Sequence, residues 1–219
     1  GRRHLSSMIT VLRPTPRVRA LHSSIRDKST PRGQFVTDAN LLVHLLVEEA
    51  LGLLPAKETD VETPCGTYRG CSLPAADDLC AVSILRAADC MLGVMRDILP
   101  AIPVGKILIQ RDESTALPKL MYAKLPPGLE RRHVLLLDPM LATGGSCVEA
   151  VRVLVEAGAS EEKIIFVNVV SCDEGIKAVC SAYPKVRIVT GEVDPILNAK
   201  KYLVPGLGDF GDRYFGTDT

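Results

Sequence analysis

The sequence predicts a doubly wound α/β domain, in which helices cover both faces of a parallel sheet. Three observations lead to this fold class. The 219 residues are enough for one large domain with a sizeable core. Near-continuous runs of Val, Ile and Leu, each of strand length, recur between residues 79 and 190, as expected of parallel strands buried on both faces. Segments with the apolar spacing of amphipathic helices alternate with those runs.

The first third of the chain predicts an arm, a helix and a hairpin. Eight Arg and Lys residues face only Asp27 before position 33, so we expect residues 1–36 to form a basic arm that packs on a partner subunit. Beyond it, Asp38 is the expected cap of a helix whose apolar spacing ends near Gly52. Residues 61–72, with a glycine at the turn, predict a small β-hairpin.

The remaining elements alternate along the chain. The apolar runs predict strands at 79–85, 106–110, 119–125, 133–138, 163–170 and 186–190, and the intervening segments predict helices at 91–99, 145–157 and 174–183. Prolines bound the 119–125 strand, which places it at an edge of the sheet. No linker or repeat interrupts the pattern, so residues 1–219 are treated as one domain.

Composition narrows the classes of function. Lys and Arg total 26 and Asp and Glu total 26, and this zero net charge argues against a nucleic-acid partner, which requires a cationic surface. No apolar run approaches the ~20 residues that span a bilayer, so no membrane partner is expected. The seven cysteines form no C-x-x-C pair, which is typical of free thiols in a reducing compartment and favours a cytoplasmic protein.

The loop after the 133–138 strand is the most informative stretch. Four apolar residues end in Asp138, and a loop of small residues then opens a helix. Backbone N–H groups, two hydroxyls and a helix N-terminus together suit a phosphate monoester, and Asp138 can accept hydrogen bonds from ribose hydroxyls. We call this stretch the phosphate loop, and its residues are Asp138, Pro139, Met140, Leu141, Ala142, Thr143, Gly144, Gly145 and Ser146. The residues alone do not exclude an alternative, in which the stretch is a strand-to-helix turn that binds no phosphate and its glycines only permit tight packing.

Other strand ends and the C-terminus add candidate groups. Arg86 and Arg111 each follow a predicted strand, and a pair of arginines at neighbouring strand ends favours contacts to pyrophosphate, whereas a single one would indicate a salt bridge. Residues 204–217 carry four glycines among acids and aromatics, so they are expected to expose main-chain donors and acceptors that match the edge of a planar base. We call residues 200–217 the C-terminal loop.

These blocks resemble the uracil phosphoribosyltransferases. The Asp-Pro-Met-Leu-Ala-Thr-Gly-Gly-Ser form of the phosphate loop is similar to their loop for phosphoribosyl pyrophosphate (PRPP), and the Gly-Leu-Gly-Asp-Phe-Gly-Asp run at 206–212 is similar to their uracil-binding loop. The likeness extends from about Ala20 to Thr219. It implies a phosphoribosyltransferase-like form of the predicted fold, with the N-terminal arm and the hairpin as additions.

The resemblance also implies roles. The phosphate loop and Asp209 would bind PRPP, and Arg86 and Arg111 would contact its pyrophosphate. Main-chain groups of Leu203, Gly208 and Phe210, with Asp209, would read uracil. The catalytic residues would be Asp209, Arg111 and Arg86. The expected reaction gives UMP and pyrophosphate from uracil and PRPP. It would use Mg²⁺ held mainly by the substrate rather than by direct protein ligands.

Further expectations come from the same resemblance. The family self-associates, so a homodimer or homotetramer is expected, and some of its members are activated by GTP. The chain departs from the usual Arg-Ala-Gly-Glu after the first strand, where it has Arg86-Ala87-Ala88-Asp89. The alternative hypothesis is a catalytically weak or regulatory binding protein on the same fold, since such proteins occur beside uridine kinases and among RNA-binding regulators.

Overall fold

A seven-strand path through a mostly parallel sheet forms the centre of the computed structural model, which describes residues 8–111 and 118–217. The strand order is β1-β10-β9-β7-β4-β5-β6, and a short strand, β8, pairs with β9. All pairs on this path are parallel except β5 with β6. The strands are β1 (Ile9–Val11), β4 (Leu79–Leu85), β5 (Val104–Arg111), β6 (Pro118–Lys124), β7 (His133–Leu137), β8 (Met140–Leu141), β9 (Ile164–Cys172) and β10 (Arg187–Asp194).

Helices cover both faces of this sheet, which confirms the predicted fold class. The helices are α1 (Pro16–Arg26), α2 (Arg32–Gly52), α3 (Asp89–Ile98), α4 (Gly145–Glu156), α5 (Asp173–Ala182) and α6 (Phe210–Phe215). The first three and α6 pack on one face, and α4 and α5 pack on the other. Successive residues of β7 alternate between the two faces, with Leu135 and Leu137 in one core and Val134 and Leu136 in the other.

The N-terminal segment differs from the expected arm. Within residues 8–36, β1 adds an edge strand beside β10, and α1 begins at a Thr15 cap followed by Pro16. Val18, Leu21 and Ile25 place one side of α1 in the core. The described part of this segment therefore packs on its own sheet, and its packing on a partner subunit stays a prediction.

The second helix also begins earlier than its sequence pattern predicts. It starts at Arg32 rather than after Asp38. Asp38 does not cap it; its buried carboxylate accepts hydrogen bonds from Ser24 Oγ (2.6 Å) and Gln34 Nε2 (2.8 Å). Asp38 therefore joins α1 to α2. Its sequence context resembles that of a helix cap, but its side chain makes a tertiary contact instead.

Two hairpins stand outside the main sheet. The predicted hairpin is confirmed as β2 (Lys57–Thr63) and β3 (Gly66–Ser72), and its first strand begins four residues before the expected boundary. Nearly every residue of this hairpin is exposed. The second hairpin, β11 (Ile196–Leu197) with β12 (Leu203–Val204), leads into the C-terminal loop. Among the described helices, none combines the length and the hydropathy required to cross a bilayer.

Candidate active site

The predicted site residues meet at the carboxyl edge of the sheet. Ser83 of β4 lies opposite Leu137 of β7, and β5 runs parallel to β4 on its other side. Arg86 and Asp138 directly follow the ends of β4 and β7, and Arg111 ends β5. The expectation that the two arginines belong to neighbouring strands is therefore confirmed, although the side chain of Arg111 lies outside the described part of the chain. Ligands of such sheets bind at this edge.

The phosphate loop turns sharply into α4 at Gly144. This residue has φ +85°, in the left-handed region, and directly precedes the first residue of α4. A Cβ here would lie 2.9 Å from the Cβ of Ala178 and 2.9 Å from the carbonyl oxygen of Gly175. Both contacts belong to α5, so the phosphate loop packs directly against that helix. Glycine is required here for two reasons, the left-handed backbone of the turn and the close contact with α5.

A cavity of about 400 Å³ lies between the phosphate loop and the C-terminal loop. The structure brings together Asp138, Met140 and Ala142 from the first with Leu203, Gly208, Asp209 and Phe210 from the second. A cavity of this size suits a small ligand. The two loops that the resemblance assigns to two substrates thus share one space.

A smaller recess of about 70 Å³ adjoins this cavity and shares Asp138, Met140 and Ala142 with it. Leu141, Thr143, Gly144, Gly145 and Ser146 complete its lining together with Cys147. It is bounded by the N-terminus of the 12-residue helix α4, where backbone N–H groups favour an anion. Pro139 lines neither space; its carbonyl oxygen instead accepts hydrogen bonds from the Val169 and Val170 N–H groups.

Asp138 has the most perturbed carboxyl group of the site. Burial raises its pKa to about 7, and a hydrogen bond with the backbone of Met140 opposes the shift. Burial also raises the pKa of the Cys147 thiol well above its ordinary value, with further contributions from Asp138 and Cys180. Cys147 is therefore a packed thiol rather than a thiolate nucleophile. Within the described residues, no group of three or more His, Cys, Asp or Glu residues is positioned to hold a metal ion.

The C-terminal loop contains a short helix, α6, that its glycines did not predict. Asp209 caps this helix by accepting a hydrogen bond from the Asp212 N–H at 2.9 Å. The buried ring of Phe210 packs edge-on against Phe35, with centroids 5.3 Å apart. Phe210 therefore anchors the loop through its side chain, which leaves only its main chain for a ligand.

Arg86 lies beside the cavity rather than in its lining. Its guanidinium pairs with the carboxylate of Asp212 and donates to Thr217 Oγ1 at 2.9 Å. Its side chain remains half exposed. These contacts bring the end of β4 to the C-terminal loop, and they hold a phosphate-binding type of side chain at the rim of the site.

The structure adds residues that the sequence patterns did not single out. Lys200, Lys201 and Tyr202 line the cavity before Leu203, and they are exposed. The backbone of this turn is held by Asn198, whose Oδ1 accepts from the Lys200 and Tyr202 N–H groups at 2.9 and 3.0 Å. Two adjacent lysines in a segment already assigned to a binding loop are the sequence feature that could have predicted these lining residues. Ala87 and Gly211 complete the lining.

Comparisons with known proteins agree with this arrangement. A family model described as uracil phosphoribosyltransferase matches residues 11–217. A uracil phosphoribosyltransferase from Dictyostelium discoideum is 50% identical over 96% of this chain and 97% of its own length, and uracil phosphoribosyltransferase 2 from Schizosaccharomyces pombe is 49% identical over 95% of both chains. The solved structure of AQ2163 protein from Aquifex aeolicus superposes with a TM-score of 0.84 at 32% identity, covering 97% of this chain and all of its own. A phosphate loop and a C-terminal loop that enclose one cavity, together with a family match over nearly the whole chain, show that this protein belongs to the uracil phosphoribosyltransferase family.

Proposed function

We propose that this protein transfers the 5-phosphoribosyl group of PRPP to N1 of uracil, giving UMP and pyrophosphate in pyrimidine salvage. The observation that carries the proposal is the shared cavity of about 400 Å³, which is lined by the phosphate loop on one side and by the C-terminal loop on the other. Family membership over residues 11–217 identifies both loops with one enzyme class. Binding two reactants in one enclosed space lowers the entropic part of the barrier.

The chemistry requires positioning and charge neutralisation rather than a covalent nucleophile. A bond forms between uracil N1 and the anomeric carbon, while the bond from that carbon to the pyrophosphate oxygen breaks. The electron pair leaves with pyrophosphate, and the N1 proton passes to solvent or to Asp209, the acid exposed in the cavity. Arg86 and Arg111 would offset the charge on the leaving group.

The phosphate loop and Asp138 would hold the rest of PRPP. Backbone N–H groups at the start of α4 suit its 5-phosphate, and the 70 Å³ recess lies against them. Asp138 lines both the recess and the larger cavity, and its carboxylate would accept hydrogen bonds from the ribose hydroxyls. The phosphate would thereby be held at one end of the sugar, and the reacting carbon would face the base.

Mg²⁺ is the cofactor that we propose. Mg²⁺ would be held mainly by the phosphate oxygens of the substrate and by water, and the carboxyl groups of Asp138 and Asp209 line the cavity in which it would be bound. The residues present therefore fit the ion. When bound, it would supply positive charge next to the departing pyrophosphate.

We further propose a cytoplasmic homodimer or homotetramer. The family resemblance supports self-association, and the seven free cysteines suit a reducing compartment. Activation by GTP stays a prediction from the resemblance, without an assigned site in this chain.

Product formation tests the proposal directly. With PRPP and Mg²⁺ present, we expect UMP from uracil, and no nucleotide from cytosine, hypoxanthine or orotate at comparable rates, measured by chromatography. Omitting Mg²⁺ should abolish the product if the cofactor is correctly assigned. If the protein binds PRPP but forms no UMP, the alternative of a catalytically weak or regulatory binding protein replaces the proposal.

A stability measurement tests the environment of Asp138. The pKa of Asp138 is about 7 in the folded protein and 3.8 ordinarily. Its contribution to the free energy of unfolding is therefore fully present only below pH 3.8, the pKa of the unfolded state. That contribution is lost as the pH rises through about 7. The parent should therefore lose about 2–3 kcal/mol of unfolding free energy between pH 5 and pH 8 that Asp138→Asn does not lose, measured by urea unfolding at both pH values. The variant should also use PRPP less well.

The exposed carboxyl of Asp97 offers a matched control. Asp97→Asn should change stability by a similar, small amount at both pH values. If the stability difference for Asp138→Asn is likewise independent of pH, the carboxyl of Asp138 does not titrate near 7 and its proposed environment is wrong.

A further inference from the structure

Gly206 is held on both sides of its backbone, by the buried side chain of Asp194 and the partly buried side chain of Arg26. It lies in the C-terminal loop between Leu203 and Gly208, with φ +63°. Its N–H donates to Asp194 Oδ2 at 2.9 Å, and its carbonyl oxygen accepts from Arg26 Nη1 at 2.9 Å. No side chain of the loop itself takes part in these two bonds. The conformation at this point therefore depends on α1 and on the end of β10.

Arg26 and Asp194 also bind each other. Arg26 Nη2 lies 2.7 Å from Asp194 Oδ1, and Nη1 lies 3.2 Å from Oδ2. Their side chains are 15% and 3% exposed. A forked pair of this kind, with one buried and one partly buried partner, has a defined geometry, and removing either partner leaves an uncompensated charge. We call Arg26, Asp194 and Gly206 the loop clamp.

A second arginine connects the same parts of the molecule from the opposite direction. Arg213 of α6 donates to the carbonyl oxygen of Leu207 at 2.6 Å and to the carbonyl oxygen of Ile25 at the end of α1. Its guanidinium also lies over the Phe35 ring, 4.3 Å from the centroid. The backbone at 206–207 is thus joined to the last turn of α1 through two guanidinium groups.

We propose that Arg26 and Asp194 are positioning residues for uracil, because they fix the backbone that carries the main-chain groups of Leu203, Gly208 and Phe210. The inference rests on the proposed function. A base that is read by main-chain groups cannot be oriented by side-chain rotamers, so the backbone must be set before the base arrives. A displacement of about 1 Å can cost on the order of 100-fold in rate. The clamp acts through the loop and touches neither reacting atom.

The chain provides a matched control in Glu192. This residue also pairs with Arg26, at 2.8 Å from Nη2, but its side chain is 49% exposed and, among the described residues, it makes no hydrogen bond to the C-terminal loop. Glu192→Gln therefore weakens an ion pair to the same arginine without touching Gly206. Because exposed ion pairs contribute little to stability, this variant should resemble the parent.

Asp194→Asn is the main test. The carboxylate accepts from both Arg26 and Gly206. An amide has one acceptor oxygen, so its NH₂ group must face the guanidinium alone or the guanidinium and the Gly206 N–H together, and at least one bond is lost. Arg26→Lys is the second variant. It keeps the charge, but a single ammonium cannot reach both Asp194 and the Gly206 carbonyl in the forked geometry.

Steady-state kinetics with both substrates separate positioning from general damage. We expect the KM for uracil to rise on the order of 10-fold in Asp194→Asn and in Arg26→Lys, with the KM for PRPP within about twofold of the parent. Glu192→Gln should leave both KM values near those of the parent. A measurement independent of turnover is amide hydrogen exchange, in which the segment 203–210 should exchange faster in the two clamp variants only.

Each outcome bears on a different claim. If the parent protein makes no UMP, the proposed function fails, whereas the exchange result still tests whether the clamp orders the loop. If the parent makes UMP and the two KM values rise equally, or neither rises, then the loop clamp does not position uracil. If Asp194→Asn does not fold, Arg26→Lys decides the question by the same two measurements.

Discussion

Gly144→Ala is expected to raise the KM for PRPP by at least ~10-fold while the protein remains folded. The residue has φ +85°, which costs an L-residue about 1–2 kcal/mol. The new methyl would also lie 2.9 Å from both the Cβ of Ala178 and the carbonyl oxygen of Gly175. The backbone of α5 cannot move aside cheaply, so the phosphate loop must shift, and the N–H groups that suit the 5-phosphate shift with it. Overpacking of this kind adds about 1–3 kcal/mol of destabilisation.

Gly158→Ala is the matched control for this change. Gly158 follows the other end of α4 and also has a left-handed φ of +98°, but a Cβ at this position would have no atom of the described residues within 4 Å. The variant carries the same conformational penalty without the clash, and it is remote from the phosphate loop. Urea unfolding should show a loss of about 1 kcal/mol, and initial-rate kinetics should show an unchanged KM for PRPP. Equal kinetic effects in the two variants would remove the phosphate loop from PRPP binding.

Asp209→Asn is expected to lower kcat/KM on the order of 100-fold without lowering the melting temperature. Asp209 caps α6, because its Oδ1 accepts the Asp212 N–H, and it also lines the cavity, where its proposed role lies. The two can be tested separately. Asparagine caps helices about as well as aspartate, so the substitution keeps the cap and removes the charge. The proposed role beside PRPP and Mg²⁺ needs that charge.

Asp209→Ala completes the comparison. It removes the cap as well as the charge, so it should lose about 1 kcal/mol more stability than Asp209→Asn and show a similar kinetic defect. Calorimetry and steady-state rates with saturating Mg²⁺ would measure both effects. Full activity in Asp209→Asn, with a defect only in Asp209→Ala, would mean that the residue acts through the helix cap alone.

The strands of the core were predictable because their signal is local. Residues 79–85, 133–137 and 164–172 are near-continuous apolar runs, and the structure buries almost every one of them. The phosphate loop was predictable for a similar reason. Its acid, its small residues and the following helix lie in one contiguous stretch, and the structure places them around one recess.

Other features depended on contacts between distant parts of the chain. The strand expected at 186–190 continues to Asp194, and that extension brings Glu192 and Asp194 to Arg26, more than 160 residues earlier in the chain. Asp38 resembles a cap in sequence but bonds to Ser24 of another helix. Neither pattern contains information about its partner.

The sequence by itself determined the fold class, the phosphate loop and the family, because short contiguous runs of apolar, small or charged residues indicate each of them. Only the tertiary structure decided that the phosphate loop and the C-terminal loop enclose one cavity, and that Arg26 and Asp194 hold Gly206 between them. The physical reason is that strand runs follow local burial, whereas the geometry of a binding site follows from which strand ends and helix ends the folded sheet brings together.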